Sequence, residues 1–200
     1  MGLVRTSDPA VLAVSITEAK KQLEIYGSEE AHDAQVQRLI EAAVEHVEQY
    51  TRRALITQTW RLTLNCFPTE ILLPRPPVQS VSSITYVDDD GAAQTLSTSL
   101  YQTCLDSSPV RIVPAYNQTW PTIRNIPEAV KVTYIAGYGD AGTDVPQQLR
   151  HAILLLVAHW FENREAVVVG TSANDVPLGV MHILERLQVG TRLGTMGVTG

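Results

Sequence analysis

Cysteine is nearly missing from this 200-residue chain: Cys66 and Cys104 are the only two. Two thiols so far apart make no disulfide framework, and without CxxC spacing they make no structural zinc site, so both are expected to be reduced, structural residues. Long apolar runs are missing as well. The oiliest stretch, Leu149 to Phe161, is uninterrupted only from Ala152 to Ala158, between His151 and His159. That is far short of the roughly 20 residues that cross a bilayer, so no membrane partner is expected. Met1 to Ala10 carries Arg5 and Asp8, and Val11 to Val14 is too short for the apolar segment of an export signal, so the expectation is a cytosolic protein.

Basic clusters are scarce too. The net charge is -6, and beyond Lys20-Lys21 and Arg52-Arg53 no Lys/Arg cluster exists, which argues against a surface that grips phosphate backbones. Residues 1–56 and 57–145 each carry -3, and residues 146–200 are neutral. The two basic pairs sit amid Glu18, Glu24 and Glu48, and are read as serving carboxylates or subunit contacts.

No HExxH, GxSxG or phosphate-cradling glycine loop occurs. Asp88-Asp89-Asp90-Gly91 lacks the alternating ligands and distal Glu of a calcium loop and is read as a hairpin turn. His151 and His159 are eight residues apart, about 80° and two turns around a helix, too far for one metal. Tyr138-Gly139-Asp140-Ala141-Gly142 lacks dinucleotide-loop spacing and reads as a flexible return. The expectation is no enzyme, no cofactor and no metal.

What remains is an ordinary globular composition, 44% hydrophobic with a mean hydropathy of +0.00. The strongest pattern begins at Val145-Pro146. Pro146 suits a first helical turn, and Leu149, Ile153, Leu156 and Trp160 recur at helical spacing, while further apolar residues make the helix oily around most of its circumference. It should be a central pillar covered on several sides.

Upstream, Ser15-Ile16-Thr17-Glu18 spells a capping box before a short helix that Gly27 stops, and Ser28 with Glu29 and Glu30 caps the next. In that second helix Val36, Leu39, Ile40, Ala43, Val44, Val47 and Tyr50 share one face, opposite Arg38, Glu41, Glu45, Glu48 and Gln49. After Leu55 the period changes to two: Trp60, Leu62 and Leu64, then Val130, Val132 and Tyr134, alternate with polar residues as half-buried strands do. Ile71 to Leu73, Val81 to Val87, Ala92 to Leu96 and Val110 to Val113 are further short strand candidates.

The order implies an α+β fold, a bundle of about four helices with a small, mostly antiparallel β subdomain inserted between the second and third. Residues 1–56 and 145–189 are expected to form the helical core and residues 57–144 the β insertion. The last helix runs from about Leu178 to Val189, and 190–200 form a flexible tail.

At this point the chain resembles the head-tail connector proteins of long-tailed bacteriophages, also called adaptor or head-completion proteins. The resemblance rests on Ile16 to Leu23, on the Ala42-Ala43 to Arg53 helix, and on Leu73-Pro74-Arg75-Pro76-Pro77-Val78 followed by Ser80-Val81, Ile84 and Tyr86. It continues through Tyr134-Ile135-Ala136-Gly137-Tyr138-Gly139, the Val145-Pro146 helix, Asn163-Arg164-Glu165 and Pro177-Leu178-Gly179-Val180. Each motif is weak alone; the ordered set, spanning about Ile16 to Val189, is fairly specific.

The resemblance implies a homo-oligomeric ring, usually of twelve copies, at the neck of a virion made in the host cytoplasm. Such a ring sits under the portal protein, offers a platform to a tail-side neck or terminator protein, and lets DNA through its lumen without specific binding. The alternatives are a DNA-binding packaging accessory or another tail-completion ring protein. Candidate portal or subunit contacts are Trp120, Arg164, Glu165, Leu178, Leu187, Arg192, Leu193 and Met196. Two readings stay open for several of them. Trp120 is an interface anchor or a strand-end core residue, Arg164 and Glu165 a subunit-crossing ion pair or a solvated helix end, and Pro177-Leu178-Gly179 a helix-start device or a contact.

Overall fold

A computed structural model describes residues 1–25, 30–163 and 176–190. The chain divides into two units, one from Met1–Pro9 and Thr57–Gly137, the other from Ala10–Ile56 and Tyr138–Val189. Four helices and two antiparallel sheets among the described residues make the fold α+β.

In the first unit the strands are β1 (Gly2–Ser7), β2 (Gln58–Leu64), β3 (Ile71–Leu73), β4 (Val78–Val87), β5 (Ala93–Thr95), β6 (Tyr101–Cys104), β7 (Val110–Pro114) and β8 (Val130–Ala136). They form a five-stranded sheet in the order β1-β2-β8-β4-β5 and a three-stranded sheet in the order β3-β7-β6. The alternation of β2 and β8 sets the register: Trp60 lies opposite Tyr134 and Leu62 opposite Val132, all four buried. A one-residue slip would turn that row outward. Ile84 of β4 joins it opposite Val132.

Three features escaped the period-two pattern: the start of β4, the whole of β1, and β6, whose four residues are exposed or half-buried and show no apolar alternation. β4 begins at Val78, three residues before the expected start, because irregularities at Val78/Ser80 and Val81/Ser83 break the alternation that reveals a strand. β1 has no sequence signature. It pairs with β2 although its side chains are mostly exposed, so it carries no apolar rhythm, and it places a strand before the first helix where a helical core was expected.

The second unit is built from α1 (Ile16–Gln22), α2 (Glu30–Thr51), α3 (Gln147–Glu162) and α4 (Leu178–Leu187). The capping box forms as read: Glu18 N–H donates to Ser15 Oγ at 3.2 Å, and Ser15 N–H donates to Glu18 Oε2 at 3.0 Å. α1 ends with Leu23 as its C-cap; the Gly27 stop and the Ser28 cap lie outside the described residues. Pro146 and Pro177 take the N-cap positions of α3 and α4, one place earlier than the first turn.

α3 packs against α1, α2 and α4. Its buried residues are Leu149, Ala152, Ile153, Leu156 and Val157, the i, i+3, i+4, i+7, i+8 stripe of an ordinary amphipathic helix. The expectation of oil on most of its circumference is met in composition and not in burial. Leu154, Leu155, Trp160 and Phe161 are only half-buried against the cluster.

Two expectations need correction. Glu48 is not on the solvent face of α2: it is 6% exposed, and its Oε1 accepts the backbone N–H of Leu55 at 2.7 Å. The chain folds back after α2 and needs an acceptor there, a tertiary demand that helical periodicity does not encode. Nor is the glycine-rich stretch before α3 loose. Tyr138 N–H donates to Leu55 O at 2.9 Å, Ile56 and Gly139 form a parallel bridge, and Ala141 N–H donates to Asp144 Oδ2 at 2.9 Å. Gly142 is there for space, because a Cβ at that position would stand 2.8 Å from the carbonyl oxygen of Ala13.

Candidate functional site

The candidate site is a set of surfaces, and the two units supply them separately. In the sheet unit Trp120 lies in the long connection between β7 and β8. Its ring stacks on Phe67, with centroids 4.9 Å apart and planes 8° apart, and Phe67 meets Tyr86 edge-on at 5.9 Å. The indole N–H donates to Pro68 O at 2.7 Å. Trp120 is therefore half-buried and satisfied within its own chain, which is what a strand-end core residue looks like.

The aromatic that does project is Tyr116, 98% exposed. It rides a tight turn closed by Gln118 N–H donating to Ala115 O at 2.9 Å, with Asn117 at φ 60 in the third position. Asn tolerates that left-handed backbone, so the turn was legible in Tyr-Asn, yet nothing in the sequence says that the ring points outward. Ala115 N–H donates to Leu100 O at 3.0 Å and ties the turn to the three-stranded sheet.

Asp88-Asp89-Asp90-Gly91 is the hairpin turn between β4 and β5. Asp88 Oδ1 accepts Ala92 N–H at 2.8 Å, its Oδ2 accepts from Gln94 at 2.8 Å, and Gly91 takes φ 89. The bonds from Gln94, then Ala92, hold the Asp88 carboxyl below its ordinary range. This is an acid used as a clip. The Pro74–Pro77 stretch is likewise structural: the Tyr134 hydroxyl donates to Pro74 O at 2.8 Å, and Arg75 lies 5.3 Å from the centroid of Trp60. Burial pushes the Tyr134 hydroxyl far above its ordinary range, so it stays a donor.

In the helical unit Leu178 is 67% exposed at the start of α4, whereas Leu187 is half-buried and its carbonyl accepts Arg53 Nε at 2.8 Å. Beyond it Gln188 donates to Tyr50 O at 3.2 Å and Val189 N–H to Thr51 O at 3.0 Å, so the chain after α4 is tied to the end of α2. Arg164, Glu165, Arg192, Leu193 and Met196 lie outside the described residues. Of the expected contacts, then, Leu178 is openly presented, while Trp120 and Leu187 serve their own units.

The two basic pairs serve the protein itself in part. Lys20 is ion-paired to Asp33, which joins α1 to α2, and Arg53 holds Leu187. Glu18 forms a further pair with Arg150, joining α1 to α3. The backbone N–H of Ser15 does most to keep the Glu18 carboxyl below its ordinary range; burial opposes it, and the Ser15 hydroxyl and Arg150 add smaller lowering effects. Neither thiol is in the core: Cys66 is exposed and Cys104 half-buried, both free. No helix among the described residues is long and apolar enough to cross a membrane.

With this geometry in place, the comparisons with known proteins are specific. One solved structure, from the neck of an empty gene transfer agent particle computed with C6 symmetry, contains a chain that is 27% identical. The match covers 98% of this chain and 100% of that one with a TM-score of 0.81. A chain in the neck of the native particle computed with C12 symmetry is 25% identical, with 98% and 100% coverage and a TM-score of 0.78. A third, in the virion of the native gene transfer agent particle, has 25% identity, 98% and 99% coverage and the same TM-score. No curated protein sequence matches the chain. The head completion protein family matches residues 13–185, nearly all of both units, and the chain belongs to that family.

Proposed function

We infer that this protein is a ring component of the neck of a phage-like particle, seated beneath the portal, where it joins capsid to tail and extends the DNA channel. It is a structural virion protein and not an enzyme. The observation that carries the reading is the full-length likeness, 98% of this chain on 100% of the other, to a chain in a particle neck. Neck structures computed with C6 and C12 symmetry support a cyclic assembly of identical copies. A ring of this kind repeats one head-to-tail interface that closes by rotation.

In this reading the partners are further copies of the chain, the portal above and a tail-side neck or terminator protein below. The segment Leu178–Gly200 makes the portal contact. Leu178 projects at the start of α4, and the final residues hold Leu193, Met196 and Val198 among four glycines, apolar side chains on a backbone costly to order without a partner. DNA passes through the lumen without being gripped, as the net charge of -6 suggests. The direct experiment is sedimentation of the purified protein with purified portal rings. Co-sedimentation in a fixed ratio supports the reading, and its absence at micromolar concentrations of both refutes it.

A further inference from the structure

The five-stranded sheet is lopsided in charge. Its strands hold Arg5, Arg61 and Lys131 and no carboxylate, in a chain whose net charge is -6. Arg5 stands opposite Trp60, on the side of the sheet that faces the unit's core, and is paired with Asp8 at 2.8 Å. Arg61 and Lys131 occupy the other face. Arg61 is opposite Thr133 and Lys131 opposite Thr63, so the two cations are diagonal neighbours on adjacent strands, about 7–8 Å apart. Both are exposed, and among the described residues neither has a hydrogen-bond or ion-pair partner. Thr59, Thr63, Thr85, Thr133 and Ser83 surround them with hydroxyls, and Val4, opposite Arg61, adds an apolar side chain 51% exposed. Adjacent like charges with nothing to neutralise them favour an anionic partner.

The chain itself offers a matching surface on its other unit. Glu41 and Glu45 of α2 are exposed and one turn apart, their Cβ atoms about 5–6 Å from each other. Each meets a neutral neighbour within its own helix, Gln37 at 2.9 Å and Gln49 at 3.0 Å, and among the described residues no cation. Two carboxylates at that spacing fit two cations at the spacing of Arg61 and Lys131.

We propose that the Arg61–Lys131 face of one copy docks on the Glu41–Glu45 face of a second copy and forms part of the repeating subunit contact. The proposal rests on the ring reading, since a head-to-tail ring needs one patch to fit a different patch of its neighbour. DNA is the other polyanion at hand and fits less well, because duplex binding draws on many neutralised phosphates and this face offers two cations.

The test uses the full chain as wild type, R61E/K131E, E41K/E45K and the combination of all four, with portal rings present and bound copies counted by native mass spectrometry. Each double variant should lower ring occupancy by about tenfold or more, and the fourfold variant should regain it, because every contact then has its charges exchanged. All four positions are exposed, so thermal unfolding should be unchanged throughout. Double variants that close rings as wild type does, or a folded fourfold variant that stays defective, overturn the proposal. So does a wild-type affinity for duplex DNA that R61E/K131E abolishes while rings still form. If wild type itself ignores the portal, the neck reading fails separately. Self-association of the same four proteins at high concentration then decides the docking, with loss in both doubles and recovery in the fourfold variant supporting it and any other pattern refuting it.

Discussion

Leu156→Ala asks whether α3 is the centre of the helical unit. Leu156 is 0% exposed and lies on the buried stripe between Ala152, Ile153 and Val157, in a helix contacted by α1, α2 and α4. Removing its isobutyl group forfeits transfer free energy and leaves a cavity that the surrounding cluster relaxes only partly to fill. The expected cost is in the upper part of the range of about 2 to 5 kcal/mol for buried Leu→Ala. At about 2–4 °C per kcal/mol for a protein of this size, the melting temperature should fall by roughly 7–20 °C. The assay is thermal unfolding followed by circular dichroism at a helical wavelength. Leu155→Ala serves as the internal control, since Leu155 is adjacent in sequence and only half-buried, and it should cost less than half as much. Equal shifts for the two variants, or a Leu156→Ala shift within error, would refute the assignment of the buried stripe.

Glu48→Ala removes the acceptor of the buried Leu55 N–H and should destabilise by about 1–3 kcal/mol, measured by urea unfolding at neutral pH. The Glu18 carboxyl has a lowered folded pKa, so its contribution is complete above the ordinary carboxylate range and disappears as pH falls through the lowered value. Glu18→Gln should flatten that acid limb by less than about 1 kcal/mol, the pair being partly solvent-screened. Truncation after Val189 should abolish portal co-sedimentation and leave the melting temperature unchanged; unchanged portal binding would remove the contact from 190–200. Duplex DNA should bind more weakly than micromolar near physiological salt, and tighter binding with a steep salt slope would favour a nucleic-acid-binding role.

Where burial imposed a period, the sequence was readable. The β2 and β8 rows, the α2 face and the α3 stripe follow from alternation and helical spacing, and Ser15 to Glu18 reads as a capping box because its chemistry is local. What failed was non-local. β1 joins the sheet through its backbone, with mostly exposed side chains that leave no pattern, and Glu48 looked solvated because its partner is seven residues away across a change of direction. Which side chains a surface presents was least readable of all. Phe67 and Pro68 hold Trp120 within its own unit, Tyr116 is presented by turn geometry, and Arg61 and Lys131 become neighbours only through strand pairing.

Several carboxylates share one structural use. Four of them are committed to backbone N–H groups: Glu18 to Ser15 at 3.0 Å, Glu48 to Leu55 at 2.7 Å, Asp88 to Ala92 at 2.8 Å and Asp144 to Ala141 at 2.9 Å. Each sits where a helix begins, a hairpin turns or the chain reverses, places where backbone donors have no regular partner. For the buried Glu48 a charge-assisted bond of this kind contributes about 1.5–3 kcal/mol, and each of the four restricts the conformation of its turn. For Glu18 and Asp88 the same bonds lower the carboxyl's affinity for protons, which makes a poor general base. These four acidic side chains thus act as fasteners of turns. Rigid turns are what a ring component needs if every copy is to present the same surfaces to its neighbours, because each flexible contact would have to be ordered again at every interface around the ring.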